Sequence, residues 1–328
     1  MTTPLRRLGR QGPAVFPLAL GCMGMSRMYG PSDEAESIAT IHAALERGLN
    51  LLDTGDFYAS GHNEALVGRA IAGRRDRALL SVKFGALRGP DGSWGGVDGR
   101  PAAVKNFAAY SLQRLGVDHI DIYRLARLDP QVPIEDTIGA IADLVRSGHV
   151  RHIGLSEVGP ETIRRAAAVH PIVDLQIEYS LLSRGPEAQI LPTLGELGIA
   201  MTAYGVLSRG LLSGSRPKGP GDFRAHLPRF RGPNLEHNQR LVDALTEVGR
   251  ARGASSSQLA IAWVLSRGPS IVPLIGARSR VQLEEALAAL ELHLDPAELA
   301  AIEAAVPAQA VAGDRYDPHQ MRSLDSER

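Results

Sequence analysis

Residues 33–53 read DEAESIATIHAALERGLNLLD. Asp33 and Glu36 have the spacing of a capping box, and apolar Ile38, Ile41 and Leu45 recur at helical intervals before Gly48 stops the run. Leu49–Asp53 is then a short apolar stretch closed by a carboxylate, which reads as a strand. A helix running straight into a strand is the building unit of a parallel sheet, because parallel strands need a long crossover between them.

The unit recurs in both directions. Strands are predicted at Leu18–Gly21, Leu49–Asp53, Ala78–Lys83, His119–Leu125, Val150–Leu155, Val173–Ile177, Ala200–Tyr204 and Ile271–Pro273. Besides the helix after Asp33, helices are predicted at Asn63–Ala72, Pro101–Leu115, Ile134–Ser147, Pro160–Val169, Glu187–Leu197 and Leu235–Arg252. Ser256–Leu265, Val281–Leu290 and Pro296–Val306 are additional ones. Leu5–Leu8 and Ala14–Phe16 bracket Gly9 and Gly12 and read as a hairpin. Eight strands in strict alternation with right-handed crossovers suit an α/β fold closed as a (β/α)8 TIM barrel, with an N-terminal β-hairpin and extra helices. The competing α/β architecture is an open doubly wound sheet. Its signature, Gly-x-Gly-x-x-Gly after the first strand, is missing, since the run there is Gly21-Cys22-Met23-Gly24.

No break in composition divides the chain, so residues 1–328 read as one barrel domain. Within it, 307–328 is a tail of little pattern, either mobile or laid over a neighbouring surface. Two Gly/Pro/Arg-rich stretches, Phe84–Arg100 and Ser213–Pro233, follow strands and read as long loops on the catalytic face.

Lys plus Arg (36) balances Asp plus Glu (36), so no surplus of charge calls for nucleic acid or an anionic membrane as partner. A small molecule is the expected partner, and a homo-oligomer stays open. The single cysteine, Cys22, precludes an intrachain disulfide and reads as a small buried residue. No apolar run is long enough for a membrane span, and Met1–Gly12 lacks the apolar stretch of a signal peptide, so the expected location is cytoplasmic. The 10 histidines show no ligand spacing, so no metal is expected, and His62 reads as a hydrogen-bonding residue at a helix start.

In a barrel, chemistry sits where strands end and βα loops begin. Asp53 is in phase with Leu51 and Leu49, Lys83 with Ser81, and Ser156 with Gly154. Gln176 lies on strand six, Tyr204 ends strand seven, and Tyr58 follows strand two. Each alone has an ordinary reading as cap, turn or loop residue. Lys83 is the exception, because a lysine pointing into a barrel must be paired. Together they suit carbonyl reduction. An alkoxide formed by hydride addition needs a proton, and tyrosine, with a free pKa of about 10, is a weak donor that a nearby ammonium strengthens. A carboxylate then holds that ammonium charged. Asp53, Tyr58 and Lys83 supply the three parts.

These residues carry a family resemblance over nearly the whole chain. The runs Leu52-Asp53-Thr54-Gly55-Asp56-Phe57-Tyr58, Gly61-His62-Asn63-Glu64, Val82-Lys83-Phe84-Gly85 and Ile120-Asp121-Ile122-Tyr123 come first. Ile153-Gly154-Leu155-Ser156-Glu157, Gln176-Ile177-Glu178-Tyr179-Ser180, the segment from Ala203 to Leu212, and Pro273-Leu274-Ile275-Gly276-Ala277-Arg278 complete the set. The chain resembles the aldo-keto reductases, most of all a bacterial branch acting on varied aldehydes and ketones.

The resemblance implies NADPH as cofactor, Tyr58 as general acid, and Asp53 and Lys83 as its partners. Ser156 and Gln176 match the residues that hold the nicotinamide carboxamide, and Tyr204 the ring that stacks on the nicotinamide. Gly205, Val206, Leu207, Ser208, Arg209, Gly210 and Leu211 match the pyrophosphate loop. Gly276, Arg278 and Gln282 match the segment around the adenosine 2′-phosphate, and Met23, with Asp53, lies against the cofactor. Tyr29, Phe57, Tyr58, Trp94 and Ala126 are the expected substrate-facing residues.

Two positions depart from the family. Ala126 stands where most members place a histidine that orients the carbonyl, and Ala286 where many place an asparagine near the adenine. Loss of the imidazole predicts room for substrates larger than the smallest aldehydes. Arg127 is next in sequence but points to the opposite face if the strand still runs there. Arg124 is expected to pair with the Asp53–Lys83 region or with Asp174. Three readings follow: reductase, the same site run backwards as an alcohol or sugar dehydrogenase, and a cofactor-binding regulatory subunit of weak activity. A non-redox barrel enzyme is a remote fourth.

Overall fold

The computed structural model describes residues 3–217, 219 and 222–328. Of the predicted loop Ser213–Pro233, residues 218, 220 and 221 lie outside the described residues.

Strands β1 (Arg6–Arg7) and β2 (Ala14–Val15) pair antiparallel as the predicted hairpin. The barrel comprises β3 (Ala19–Gly21), β4 (Leu51–Gly55), β5 (Leu79–Phe84), β8 (Ile120–Leu125), β9 (Val150–Ser156), β10 (Ile172–Glu178), β11 (Ala200–Tyr204) and β12 (Ile271–Gly276). It closes in the order β10-β11-β12-β3-β4-β5-β8-β9, all parallel. Helices α1 (Glu34–Glu46), α2 (His62–Ile71), α3 (Pro101–Leu115), α4 (Ile134–Arg146), α5 (Pro160–Val169) and α6 (Ile190–Leu197) belong to the outer ring. So do α7 (Gly232–Arg250), α8 (Ser256–Ser266), α9 (Arg280–Ala288) and α10 (Pro296–Ala305); α11 (Pro318–Arg322) lies in the tail.

Two apolar layers hold this together. The larger fills the space between strands and helices, as with Tyr123, which stacks on Phe84 at 4.2 Å between ring centres. The smaller lies inside the barrel, where Leu51, Ile122, Val173 and Val272 pack with Leu8 and Val15 of the hairpin. The hairpin thus closes the floor and leaves the C-terminal rim for polar side chains.

Three local predictions need correction. Phe84–Arg100 is not an open loop: β6 (Ala86–Arg88) and β7 (Trp94–Val97) pair antiparallel within it. The turn between them is Gly89-Pro90-Asp91-Gly92, with Gly92 at φ 80° and Asp91 Oδ1 accepting the Ser93 N–H at 2.9 Å. The helix predicted from Glu187 starts at Ile190, because Pro192 is tolerated only within the first turn. β4 runs two residues past Asp53, so that carboxylate sits inside the barrel mouth and not at its lip.

The tail takes the covering role. Asp325 Oδ2 accepts the Gly159 N–H at 2.8 Å, Leu324 is buried, and Arg315 and Tyr316 turn into the rim. Among the described residues, no helix is long and apolar enough to cross a membrane.

Candidate active site

The register of β4 and β5 sets Asp53 beside Ser81 and Gly55 beside Lys83. Asp53 and Lys83 are both buried. Lys83 Nζ donates to Asp53 Oδ1; Ser81 Oγ and Gln176 Nε2 both donate to Oδ2 at 2.7 Å. Three donors on one carboxylate compensate much of its desolvation.

Tyr58 opens the 3-10 turn Tyr58–Gly61 just after β4, with Phe57 edge-on at 4.7 Å. The Lys83 ammonium lies over the Tyr58 ring, 5.2 Å from its centre, and not on its hydroxyl. Among the described residues the Tyr58 hydroxyl has no hydrogen-bond partner, which leaves it open to a substrate oxygen. Burial pushes the Tyr58 phenol well above its ordinary range and Asp53 adds to this, while Arg127 opposes it. Burial likewise pulls Lys83 down, against Asp53. The expected lowering of Tyr58 by the ammonium is therefore overturned, because burial outweighs a cation already committed to Asp53.

Beneath this set lies a second buried ion pair. Arg124 and Asp174 have fully buried side chains, joined from Nη1 to Oδ2 at 3.0 Å. Arg124 Nη2 donates to Ser81 Oγ at 3.0 Å, and Ser81 in turn donates to Asp53. Both partners expected for Arg124 are thus engaged at once. The pair needs a glycine beside it, since a Cβ at Gly154 would stand 2.6 Å from Asp174 Oδ1 and 2.9 Å from Arg124 Cζ.

The residues matched to the cofactor line the same rim. Ser156 ends β9 and is buried, Gln176 is bound to Asp53, and Met23 begins the 3-10 turn after β3. The Tyr204 hydroxyl donates to Glu157 Oε1 at 2.7 Å and lies 3.0 Å from the Tyr316 hydroxyl. After it, Gly205 has φ 68°, and a Cβ there would come within 3.0 Å of Glu178. Val206, Leu207, Gly210 and Leu211 follow the same turn, and Arg224 ties it down by donating to the Arg209 carbonyl at 3.1 Å. Arg278 donates to the backbone carbonyls of Tyr29 at 3.1 Å and Pro31 at 3.4 Å, and its own N–H to Gln282 Oε1 at 2.8 Å. The space where a Gly276 Cβ would stand is open.

Among the described residues, six other than glycine have positive φ: Arg27, Ala59, Ser60, Glu157, Ser208 and Arg209. All lie in loops leaving the C-terminal ends of barrel strands. Strain of this kind concentrates where surrounding structure over-determines a functional geometry.

The substrate-facing set is only partly gathered. Phe57 and buried Ala126 lie at the mouth with Tyr58. Tyr29 reaches towards the Arg278 side, its ring under Arg224 at 5.4 Å. Trp94 is 49% exposed on the β6–β7 hairpin, against Arg88. His62 starts α2 and hydrogen-bonds Ser26 Oγ at 3.0 Å, as expected of a structural histidine.

Sequence reasoning gave no role to Glu157, Glu178, Arg315 or Tyr316. Arg315 forks onto Glu157 at 2.7 and 2.6 Å, and Arg209 pairs with Glu178 at 3.0 Å. Burial alone would raise Glu157; Arg315 outweighs it, and Arg127 and Tyr204 add to the fall, so its carboxyl lies far below the usual range. Glu157 and Glu178 stand inside the family motifs, and the phase that Glu178 shares with Gln176 is the signal that could have found it. Arg315 and Tyr316 stand in a segment with no periodicity, so nothing local announced them.

Asp56, just before Phe57, is a buried carboxylate whose Oδ2 accepts the Gly85 N–H at 3.2 Å while Oδ1 has no partner among the described residues. Burial raises its pKa from 3.8 to about 7. Between those values the unfolded chain is ionised and the folded one still protonated, so this group withdraws stability as pH rises through the window and is neutral below it. Asp56→Asn is expected to stabilise the protein by about 1–2 kcal/mol at pH 8, an advantage that vanishes by pH 4. Urea melts at the two pH values check this; an equal effect at both would show that Asp56 does not titrate there.

The aldo/keto reductase family model matches residues 17–307. A probable aldo-keto reductase 1 of Glycine max is 39% identical over 318 residues, covering 94% of this chain and 91% of that protein. The solved glycerol dehydrogenase of Gluconobacter oxydans superposes with a TM-score of 0.85 at 30% identity, covering 97% of this chain and 99% of that one. An aldo-keto reductase of Klebsiella pneumoniae, solved in complex with NADPH, gives 0.74 at 27% identity, covering 94% and 96%. On sequence and fold alike, the chain belongs to the aldo/keto reductase family.

Proposed function

We propose that this NADP(H)-dependent oxidoreductase reduces a small aldehyde or ketone to the alcohol, with Tyr58 as the general acid. The observation that carries the reading is a Tyr58 hydroxyl without a partner among the described residues, with the Lys83–Asp53 pair against its ring, at the mouth of a barrel of this family.

The residues present suit the cofactor. Among the described residues the Arg278 side chain donates only to neutral backbone carbonyls, near the open space at Gly276 and before α9, an arrangement that suits a 2′-phosphate. Ser156, Gln176 and Tyr204 would hold the nicotinamide end, and the turn from Gly205 to Leu211 the pyrophosphate. NADPH, when bound, supplies the hydride. Tyr58 holds the proton at its Oη and gives it to the developing alkoxide; Lys83 then stabilises the tyrosinate, and Asp53 keeps Lys83 charged. Ala126 leaves space beside that oxygen, which suits larger carbonyl compounds.

The test is a carbonyl panel scored by loss of NADPH absorbance. No turnover of any aldehyde or ketone would sink the reading. Alcohol oxidation is a second reading, favoured by the likeness to a glycerol dehydrogenase, and NADP+ reduction with polyols distinguishes it. A regulatory subunit has no need of the complete Asp53, Tyr58 and Lys83 set.

Arg278 carries its own prediction. NADPH is expected to bind at least about tenfold tighter than NADH, from charge-assisted bonds to the 2′-phosphate. In Arg278→Ala that preference should collapse with NADH affinity little altered, as read by fluorescence titration. Equal affinities in the unmutated protein would exclude the role.

A further inference from the structure

Four guanidiniums stand on the tail side of the barrel mouth. Three have a carboxylate within ion-pair distance: Arg209 with Glu178 at 3.0 Å, Arg229 with Glu178 at 3.5 Å and Arg315 with Glu157 at 2.6 Å. Among the described residues Arg127 has none. Its Nη1 donates to its neighbour's carbonyl, Ala126 O, at 2.7 Å, and its Nη2 to the Tyr316 hydroxyl at 3.1 Å. A guanidinium has five N–H donors, so most of them remain for another acceptor.

The position follows from where the strand stops. β8 ends at Leu125, and the last link to β5 is the Ala126 N–H on the Phe84 carbonyl at 2.8 Å. Arg127 is the first residue past that link, so strand alternation no longer directs it outward. Its partly buried side chain reaches the Ala126 carbonyl and the Tyr316 hydroxyl, which lies beside that of Tyr204. Its charge is felt by both Tyr58 and Lys83. Glu157, the carboxylate whose field reaches Arg127, is already held by Arg315, Tyr204 and Ser326. The cofactor's 2′-phosphate is not the natural partner either, because Arg278 follows β12, four strands round the barrel from β8, and the turn assigned to the pyrophosphate follows β11, three strands away.

We propose that Arg127 is the anion-binding residue of the substrate site, and that the preferred substrates carry a carboxylate next to the reacting carbonyl, as 2-oxo acids do. A guanidinium at this point can fork onto the carboxylate and aim the adjacent carbonyl oxygen at Tyr58, the orienting task that Ala126 cannot perform. The carboxylate takes no part in the bond changes. The hydride from NADPH forms the new C–H bond, the C=O electron pair moves to oxygen, and the Tyr58 proton completes the hydroxyl, leaving NADP+ and tyrosinate. The inference rests on the reading of Tyr58 as the acid at a carbonyl site.

The experiment compares benzoylformate with its methyl ester, which differ in one charge. The first readout is binding alone: benzoylformate is titrated into the protein–NADP+ complex, which cannot reduce it, and followed by calorimetry. Arg127→Met is expected to weaken that binding at least about tenfold, and Arg127→Lys to restore part of it. The second readout is the ratio of kcat/KM for acid over ester, which should fall by a similar factor in Arg127→Met, mainly through KM. Benzoylformate binding no tighter than the ester in the unmutated protein overturns the inference, as does an equal loss on acid and ester. Turnover of the ester with an unchanged acid-to-ester ratio removes Arg127 alone and leaves Tyr58 standing. If Tyr58→Phe keeps full activity on both compounds, the acid assignment fails, while the NADP+ titration still reads Arg127.

Discussion

Tyr58→Phe is expected to lower kcat at least about a hundredfold while NADPH affinity stays within about twofold. The phenol has no hydrogen-bond partner among the described residues, and the ring's packing against Phe57 and under Lys83 survives the change. Phenylalanine removes one oxygen and its proton and nothing else. Because burial and Asp53 hold the phenol well above its ordinary range, activity in the unmutated enzyme should not decline through Tyr58 ionisation as pH rises towards 10. Single-turnover reduction, which isolates the chemical step, together with fluorescence titration of NADPH, checks both halves. A variant with near-normal turnover would mean that another group, or water, delivers the proton.

The second large effect concerns the fold beneath the site. Arg124→Met should destabilise the protein by about 3–5 kcal/mol, because it leaves Asp174 as an unpaired charge at a fully buried position. Thr202 also donates to that carboxylate, but a hydroxyl neutralises no charge. The double variant Arg124→Met with Asp174→Leu should recover much of the loss, since exchanging a whole buried pair for apolar side chains is often neutral. Urea denaturation of the four-member cycle measures the coupling. Single variants that each cost under about 1 kcal/mol would show that the pair is not the stake of the barrel interior. Arg124 also supports Asp53 through Ser81, so some loss of activity is expected in the single variant even where it remains folded.

The barrel was legible because its signals are local. Period-two runs such as Val150–Ser156 and capped helices such as Glu34–Glu46 declare themselves within a dozen residues. Asp53, Lys83, Ser156 and Tyr204 could be found because a parallel barrel brings the ends of its strands together whatever the loops do. Loop interiors were less legible. The β6–β7 hairpin was missed although Gly89-Pro90-Asp91-Gly92 is a turn sequence, since its strands are short and half of β7 is glycine.

What the sequence determined alone, then, is the alternation of strands and helices, the phase of the inward polar residues and the family motifs, each set by covalent neighbours and by the period of the backbone. What only the tertiary structure decided is how charges meet across the rim. Arg315 reaches Glu157 from 158 residues away, Arg127, just past the last strand link, reaches Tyr316, and burial with Asp53 holds the Tyr58 phenol above its ordinary range. Desolvation and ion pairing depend on what the whole chain excludes from water at a point, and that quantity is not a property of any one segment.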